Sequence, residues 1–168
     1  MAYQQIKYEP GKVARIILNR PRYRNAQSRL MIEEMDDAFT KAEADKEVRV
    51  IVLSGEGAHF SAGHDLGTPE ELADRQKRGY PGDTDSEGMF ERMRDLFVKK
   101  SLHWRNVEKP TIAMVQGYCI YGGWIFAASM DIVFASEDAL FLPSLLQYFS
   151  VPWDIGPRKA KEVLFEHR

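Results

Sequence analysis

Only one cysteine, Cys119, occurs in the 168 residues of this chain. A single thiol excludes an intrachain disulfide framework and points to a reducing compartment. Cys119 lies in an apolar run, where a lone cysteine reads as a small core residue rather than a nucleophile. No stretch reaches the roughly 18 consecutive apolar residues that a membrane-spanning helix requires. The first residues, Met1-Ala2-Tyr3-Gln4-Gln5, lack the basic start and apolar stretch of a secretory leader, so a cytoplasmic location is expected. An excess of positive charge is missing too. The 23 Lys and Arg face 25 Asp and Glu, for a net charge of −2, which argues against a nucleic-acid-binding domain. The four histidines are scattered, without metal-ligand spacing, and no metal is expected. What is present, 44% hydrophobic and 29% charged residues, suits one globular domain with a real core.

Apolar periodicity places the elements. Val13 to Leu18 and Val48 to Leu53 are β-branched runs closed by turn signals, as buried strands are. Between them Met31, Met35, Ala38, Phe39 and Ala42 recur at helical spacing, with Glu33, Glu34, Asp37 and Lys41 on the opposite face. Residues 67–88 carry Pro69, Pro81, four glycines and many charges, and read as a variable insert or mobile lid. Met89, Phe90, Met93, Leu96, Phe97 and Trp104 then form a helical stripe expected to face the core. Thr111 to Gln116 predicts a strand, Gly122 to Met130 a helix, and Ile132 to Ala135 a strand. Asp154-Ile155-Gly156-Pro157 introduces a helix from Arg158 to His167, the start of a helical C-terminal region over residues 154–168.

Two glycine-bearing turns follow strand-like runs: His59-Phe60-Ser61-Ala62-Gly63-His64-Asp65-Leu66 and Val115-Gln116-Gly117-Tyr118-Cys119-Ile120-Tyr121-Gly122-Gly123. Glycine lets a ligand approach bare backbone, so two such turns brought together aim two N–H groups at one oxygen. In this order they resemble the "F-S/C-A-G-x-D-L" and "G-Y-A-x-G-G-G" motifs of the crotonase superfamily, the enoyl-CoA hydratase/isomerase family. Asn19-Arg20-Pro21-Arg22-Tyr23-Arg24-Asn25-Ala26 resembles that family's "N-R-P-x-x-x-N-A". Val48 to Gly55, Lys109-Pro110-Thr111-Ile112-Ala113 and Met130-Asp131-Ile132 match its "V-R-V-I-V-L-T-G", "K-P-x-I-A" and "C-D-I".

The resemblance implies an α/β crotonase-like spiral of ββα turns over residues 1–168. Its C-terminal helical region is missing, so the chain is expected to be truncated. It implies an acyl-CoA thioester substrate, with coenzyme A as part of that substrate and no covalently bound cofactor. It also implies assembly of the full-length protein into trimers or dimers of trimers. The amides of His64 and Gly122 would hold the thioester carbonyl. Arg22, Arg24, Ala26, Ala62, Asp65 and Leu66 fall where the family binds the CoA moiety. From Pro10 to Ile32 the chain carries Lys12, Arg15, Arg20, Arg22, Arg24 and Arg29 without one acidic residue, a pattern that is either a solvated face or a phosphate-binding one.

The family's hydration chemistry does not carry over. Its two catalytic glutamates fall on Ile125 and Leu145, and neither side chain transfers a proton. Members with other chemistries, including dehalogenation and cleavage of cyclic diketones, take a carboxylate from the loop around Val151-Pro152-Trp153-Asp154. Asp154 is therefore the candidate base or nucleophile, its alternative role being to cap the helix that follows. The His64 side chain either adds an imidazole to the site or points away, the reading favoured here. Asp65 fixes its turn through nearby amides. His59 and His103 read as surface groups, and Glu70 and Glu71 sit in the insert and rank below Asp154, since only closure of a lid would carry one of them inward. Tyr121 and Trp124 are bulky where relatives have small residues and imply a reshaped acyl pocket. The function expected is enolate stabilisation on a CoA thioester, the alternatives being a non-catalytic acyl-CoA binder or chemistry through Asp154.

Overall fold

A computed structural model describes residues 2–79, 85–143 and 154–166. Strand β1 (Ile6–Glu9) turns back antiparallel onto β2 (Val13–Leu18), pairing Ile6 with Leu18. Beyond them β3 (Val50–Gly55), β4 (Thr111–Val115) and β6 (Ile132–Ala135) add in parallel, giving the order β1-β2-β3-β4-β6. A second, two-stranded parallel sheet pairs β5 (Tyr118–Ile120) with β7 (Leu140–Leu142). Parallel neighbours need crossovers, and helices supply them here.

Along β2 the burial alternates with the strand period: Ala14, Ile16 and Leu18 are fully buried while Val13 and Arg15 face outward. Helix α1 (Arg29–Ala44) packs on that face. Ser28 caps it by accepting from the Met31 amide, and Met31, Ile32, Met35, Ala38, Phe39 and Ala42 line its buried stripe. Each large apolar side chain taken out of water there contributes about 1.5–3 kcal/mol. The Phe39 ring stacks near Trp104 at 6.0 Å, and Trp104 meets Phe126 edge-on at 5.2 Å. Phe126 belongs to α5 (Gly122–Ala128), so this aromatic column ties α1, α4 (Lys99–Arg105) and α5 into one core.

Several expectations are corrected. The third strand starts at Val50, two residues later than the apolar run, because Arg49 and Val50 both donate to Lys12 O at the strand's entry. The insert expected over residues 67–88 carries helical structure where it is described. Pro69–Arg78 forms helix α2, opened by Thr68 accepting from the Glu71 amide and by Pro69 in the first turn. It docks on α1: Glu71, only 1% exposed, accepts from the Arg29 amide at 3.0 Å, and the Arg29 guanidinium pairs with Asp74 at 2.6 Å. Helix α3 (Ser86–Met93) runs through a π-helical turn at Arg94–Val98 into α4. Of its predicted core stripe Trp104 is buried, but Met89 and Phe90 are 50% and 66% exposed, since no described element covers that end. Strands β1, β5 and β7, only three or four residues long, are too short to show a period of their own in the sequence. The last helix, α6, spans Pro157–Glu166. Among the described residues no helix is long and apolar enough to cross a membrane.

Candidate active site

The two glycine turns are bonded to each other. Ser61 N donates to Tyr118 O at 2.9 Å, and Ile120 N donates to Ser61 O at 3.0 Å. The arginine loop joins them, with Ala62 N donating to Arg24 O and Gln27 N to Gly63 O. Gly63 has φ +91°, and a Cβ there would sit 2.8 Å from Ile120 O and 3.6 Å from Gly122 N. Only glycine allows that conformation and that approach. His64 follows it directly. Gly122 opens α5, so its N–H has no carbonyl within the helix to bond. Tyr121, just before it, holds φ 47° and ψ −108°, a region that side-chain-bearing residues rarely occupy.

Asp65 holds the first turn rigid. Its Oδ1 accepts from the Gly67 and Thr68 amides at 3.0 and 2.7 Å, and its Oδ2 from Thr68 Oγ1 and Arg20 Nη1 at 2.6 and 2.8 Å. The Asp65 side chain is fully buried and that of Arg20 is 5% exposed. Burial would raise the Asp65 pKa, but the bonds from Thr68, Arg20 and Gly67 outweigh it and hold the carboxyl below its usual range. Its side chain therefore serves the turn.

Arg22, Arg24, Ala26, Ala62, His64, Asp65 and Leu66 line one cavity of about 590 Å³. The structure thus gathers the sequence-predicted CoA residues and His64 in one place. Arg22 and Arg24 are exposed at its rim, the Arg22 guanidinium lying 5.2 Å from the Tyr23 ring. The basic stretch divides physically: Arg20 and Arg29 are buried in ion pairs, while Arg22 and Arg24 stay outward.

The His64 side chain does not point away. Its ring centre is 4.3 Å from that of Phe97, and its Cε1 and Nδ1 would lie 2.7 and 2.9 Å from a Cβ at position 122. Gln27 Oε1 would be 2.2 Å from the same point. Gln27 is 3% exposed, and neither of its side-chain amide atoms has a hydrogen-bond partner. A buried, unpaired amide costs about 1–3 kcal/mol. Sequence reasoning passed over this residue. Its signal was a long polar side chain between Asn25-Ala26 and the capping Ser28, where the packing is otherwise closed.

Ile125 is buried on α5, an aliphatic side chain where the resemblance implies a glutamate; Leu145 lies outside the described residues. Asp154 is not brought to the glycine turns. It pairs with Arg105, which also donates to Ala128 O, in a second cavity of about 530 Å³ that shares no lining residue with the first. Helix α6 begins at Pro157, so its cap position falls on Gly156 rather than Asp154. Glu70 bonds Arg20 and Tyr23, and Glu71 bonds Arg75 and the Arg29 amide, so both lid carboxylates are engaged. His59 is not a surface group: its ring stacks on Tyr118 at 4.2 Å and its Nδ1 accepts from the Tyr118 amide. His103 is half-buried against Asp36 at 2.8 Å. Cys119 is fully buried, and burial pushes its thiol pKa up, which disfavours the thiolate.

Stacked ββα units with two bonded glycine turns at one edge define a crotonase-type fold. A sequence profile of the enoyl-CoA hydratase/isomerase family matches residues 9–165, and the chain belongs to that family. The solved structure of a probable enoyl-CoA hydratase from Mycobacterium smegmatis superposes with a TM-score of 0.81 at 39% identity, over 98% of this chain and 64% of that one. A second, from Mycobacterium thermoresistibile, gives 0.81 at 41% identity, over 95% and 63%. A Mycobacterium tuberculosis protein named as an enoyl-CoA hydratase, EchA13, is 38% identical over 96% of this chain. The chain spans 57% of that relative's length.

Proposed function

We propose that this chain binds an acyl-CoA thioester and stabilises its enolate, the carbonyl oxygen resting between the amides of His64 and Gly122. The observation that carries this reading is the bonding of both glycine turns to each other and to the arginine loop, beside one cavity. Fixed amides aimed at a developing oxyanion contribute about 2.7–4 kcal/mol per donor. They cost no reorganisation during the reaction. The exposed guanidiniums of Arg22 and Arg24 suit the phosphates of CoA in charge and geometry. Hydration by a glutamate pair is not part of the proposal, because Ile125 and Leu145 stand in those places.

A second reading, a non-catalytic acyl-CoA binder, is favoured by the buried aliphatic Ile125 alone. Chemistry through Asp154 is disfavoured by its pairing with Arg105 in the other cavity. Titration calorimetry with butyryl-CoA, CoA and butyrate tests the shared premise. The thioester is expected to bind more tightly than either part, and equal or absent affinity for all three would refute it.

A further inference from the structure

We propose that Tyr121 is the specificity-determining residue of this site and selects acyl groups that carry a flat aromatic ring next to the thioester. The inference rests on the thioester reading above and deepens it by naming the acyl class. Tyr121 holds φ 47° and ψ −108°, a combination found at the first corner of type II′ turns, where glycine dominates. The motif that this turn resembles has glycine at the same position. A side chain there costs folding free energy, and such strain persists only where the surroundings over-determine it.

The surroundings of Tyr121 do so. Its N–H donates to Leu142 O at 2.8 Å, continuing the β5–β7 pairing past Ile120. Its carbonyl accepts from the Trp124 and Ile125 amides at 3.0 and 3.2 Å, the first bonds of α5. Both ends of the residue are thereby pinned, and its ψ fixes where the Gly122 N–H points. Glycine would serve the same turn without strain, so the turn does not account for the tyrosine side chain.

Packing does not account for it either. Tyr121 is 44% exposed. Among the described residues its hydroxyl makes no hydrogen bond and its ring meets no other ring, whereas Phe97, Tyr118 and Trp124 each meet one. Its Cβ leaves the backbone toward the first glycine turn: a Cβ at Gly63 would lie 3.4 Å from Tyr121 Cβ and 3.6 Å from Gly122 N. The side chain therefore starts in the cleft between the two turns, one peptide bond from an amide assigned to the carbonyl oxygen. The first carbons that continue from that carbonyl pass within reach of the ring. Another aromatic ring is its preferred companion, offset-stacked or edge-on with centroids about 4.5–7 Å apart. The ligand class is an arylacetyl-CoA, whose ring reaches Tyr121 and whose α-carbon keeps the hydrogens that enolate formation needs.

Titration calorimetry on the 168-residue chain compares phenylacetyl-CoA with cyclohexylacetyl-CoA, thioesters of equal carbon count that differ in whether the ring is flat. The unaltered chain is expected to bind phenylacetyl-CoA about 2–10-fold more tightly, the range that aromatic pairing adds beyond burial. Tyr121→Phe should keep that ratio, and Tyr121→Leu and Tyr121→Gly should abolish it. Tyr121→Gly should also melt at a higher temperature than the unaltered chain, which separates lost selectivity from lost folding. Should Tyr121→Leu unfold, Tyr121→Gly decides alone. Equal affinities in the unaltered chain, a ratio that survives in Tyr121→Gly, or a lower melting temperature of Tyr121→Gly overturns the proposal. Binding of butyryl-CoA without binding of phenylacetyl-CoA overturns it too, whereas failure to bind any of the three thioesters refutes the thioester reading instead.

Discussion

Replacing Asp65 by Asn isolates the electrostatic lock beneath the first glycine turn. The carboxylate is fully buried, and the guanidinium it meets at 2.8 Å is 5% exposed. Removing one partner of such a pair costs about 3–5 kcal/mol, because the remaining charge stays buried and uncompensated. Two features move Asp65→Asn toward the lower bound. Arg20 retains Glu70 at 3.0 Å, though that carboxylate is 48% exposed and well screened, and Asn keeps one oxygen for the Gly67 and Thr68 amides. We therefore expect a loss of about 3 kcal/mol at pH 7, or roughly 6–12 °C in Tm for a domain of this size. Acid should narrow the difference. The folded-state pKa of Asp65 lies below its ordinary 3.8, so its contribution is present above that value and is lost as pH falls through the folded value. Thermal unfolding followed by circular dichroism at pH 7 and near pH 3 reads both effects. The double variant Arg20→Met, Asp65→Leu should recover part of the loss, since it buries no orphan charge. A drop smaller than ~2 °C at pH 7, or a gap of equal size at both pH values, would show that the lock does not hold the turn.

Three further outcomes follow from the same geometry. Gly122→Ala places a Cβ 2.2 Å from Gln27 Oε1 and 2.7 Å from His64 Cε1, so it should destabilise the chain by about 1–3 kcal/mol and weaken butyryl-CoA binding at least ~10-fold by calorimetry. Tyr121→Gly relieves a backbone at φ 47°, ψ −108° that costs about 1–3 kcal/mol, against about 0.5–1 kcal/mol of added chain entropy. A net gain near 1 kcal/mol, roughly 2–4 °C in Tm, is expected in a melting experiment. Crotonyl-CoA hydration, followed by loss of enoyl absorbance, should run at least ~10²-fold slower than in a two-glutamate relative, and ordinary family rates would contradict the places of Ile125 and Leu145.

Much of this protein was legible in the order of its residues. The alternation of Ala14, Ile16 and Leu18, the helical stripe from Met31 to Ala42 and the two glycine turns are local patterns whose period or backbone demands are set within a few residues. Helix α2 was written there too, in Thr68-Pro69-Glu70-Glu71, but the surrounding glycines, prolines and charges concealed it. Other properties depend on separations that local pattern does not encode. The direction of the His64 ring follows from Gly122 and Phe97, residues far along the chain that close around it. Asp154 looked like the available carboxylate until Arg105 claimed it in a different cavity. Glu71 read as a lid acid, yet it is spent on the first amide of α1. Gln27 carried no motif at all, and its importance comes from burial without a partner. Spacing along the chain determines which groups are available and what backbone they require. Only the packing of distant segments decides which of those groups are already satisfied and which remain to meet a ligand.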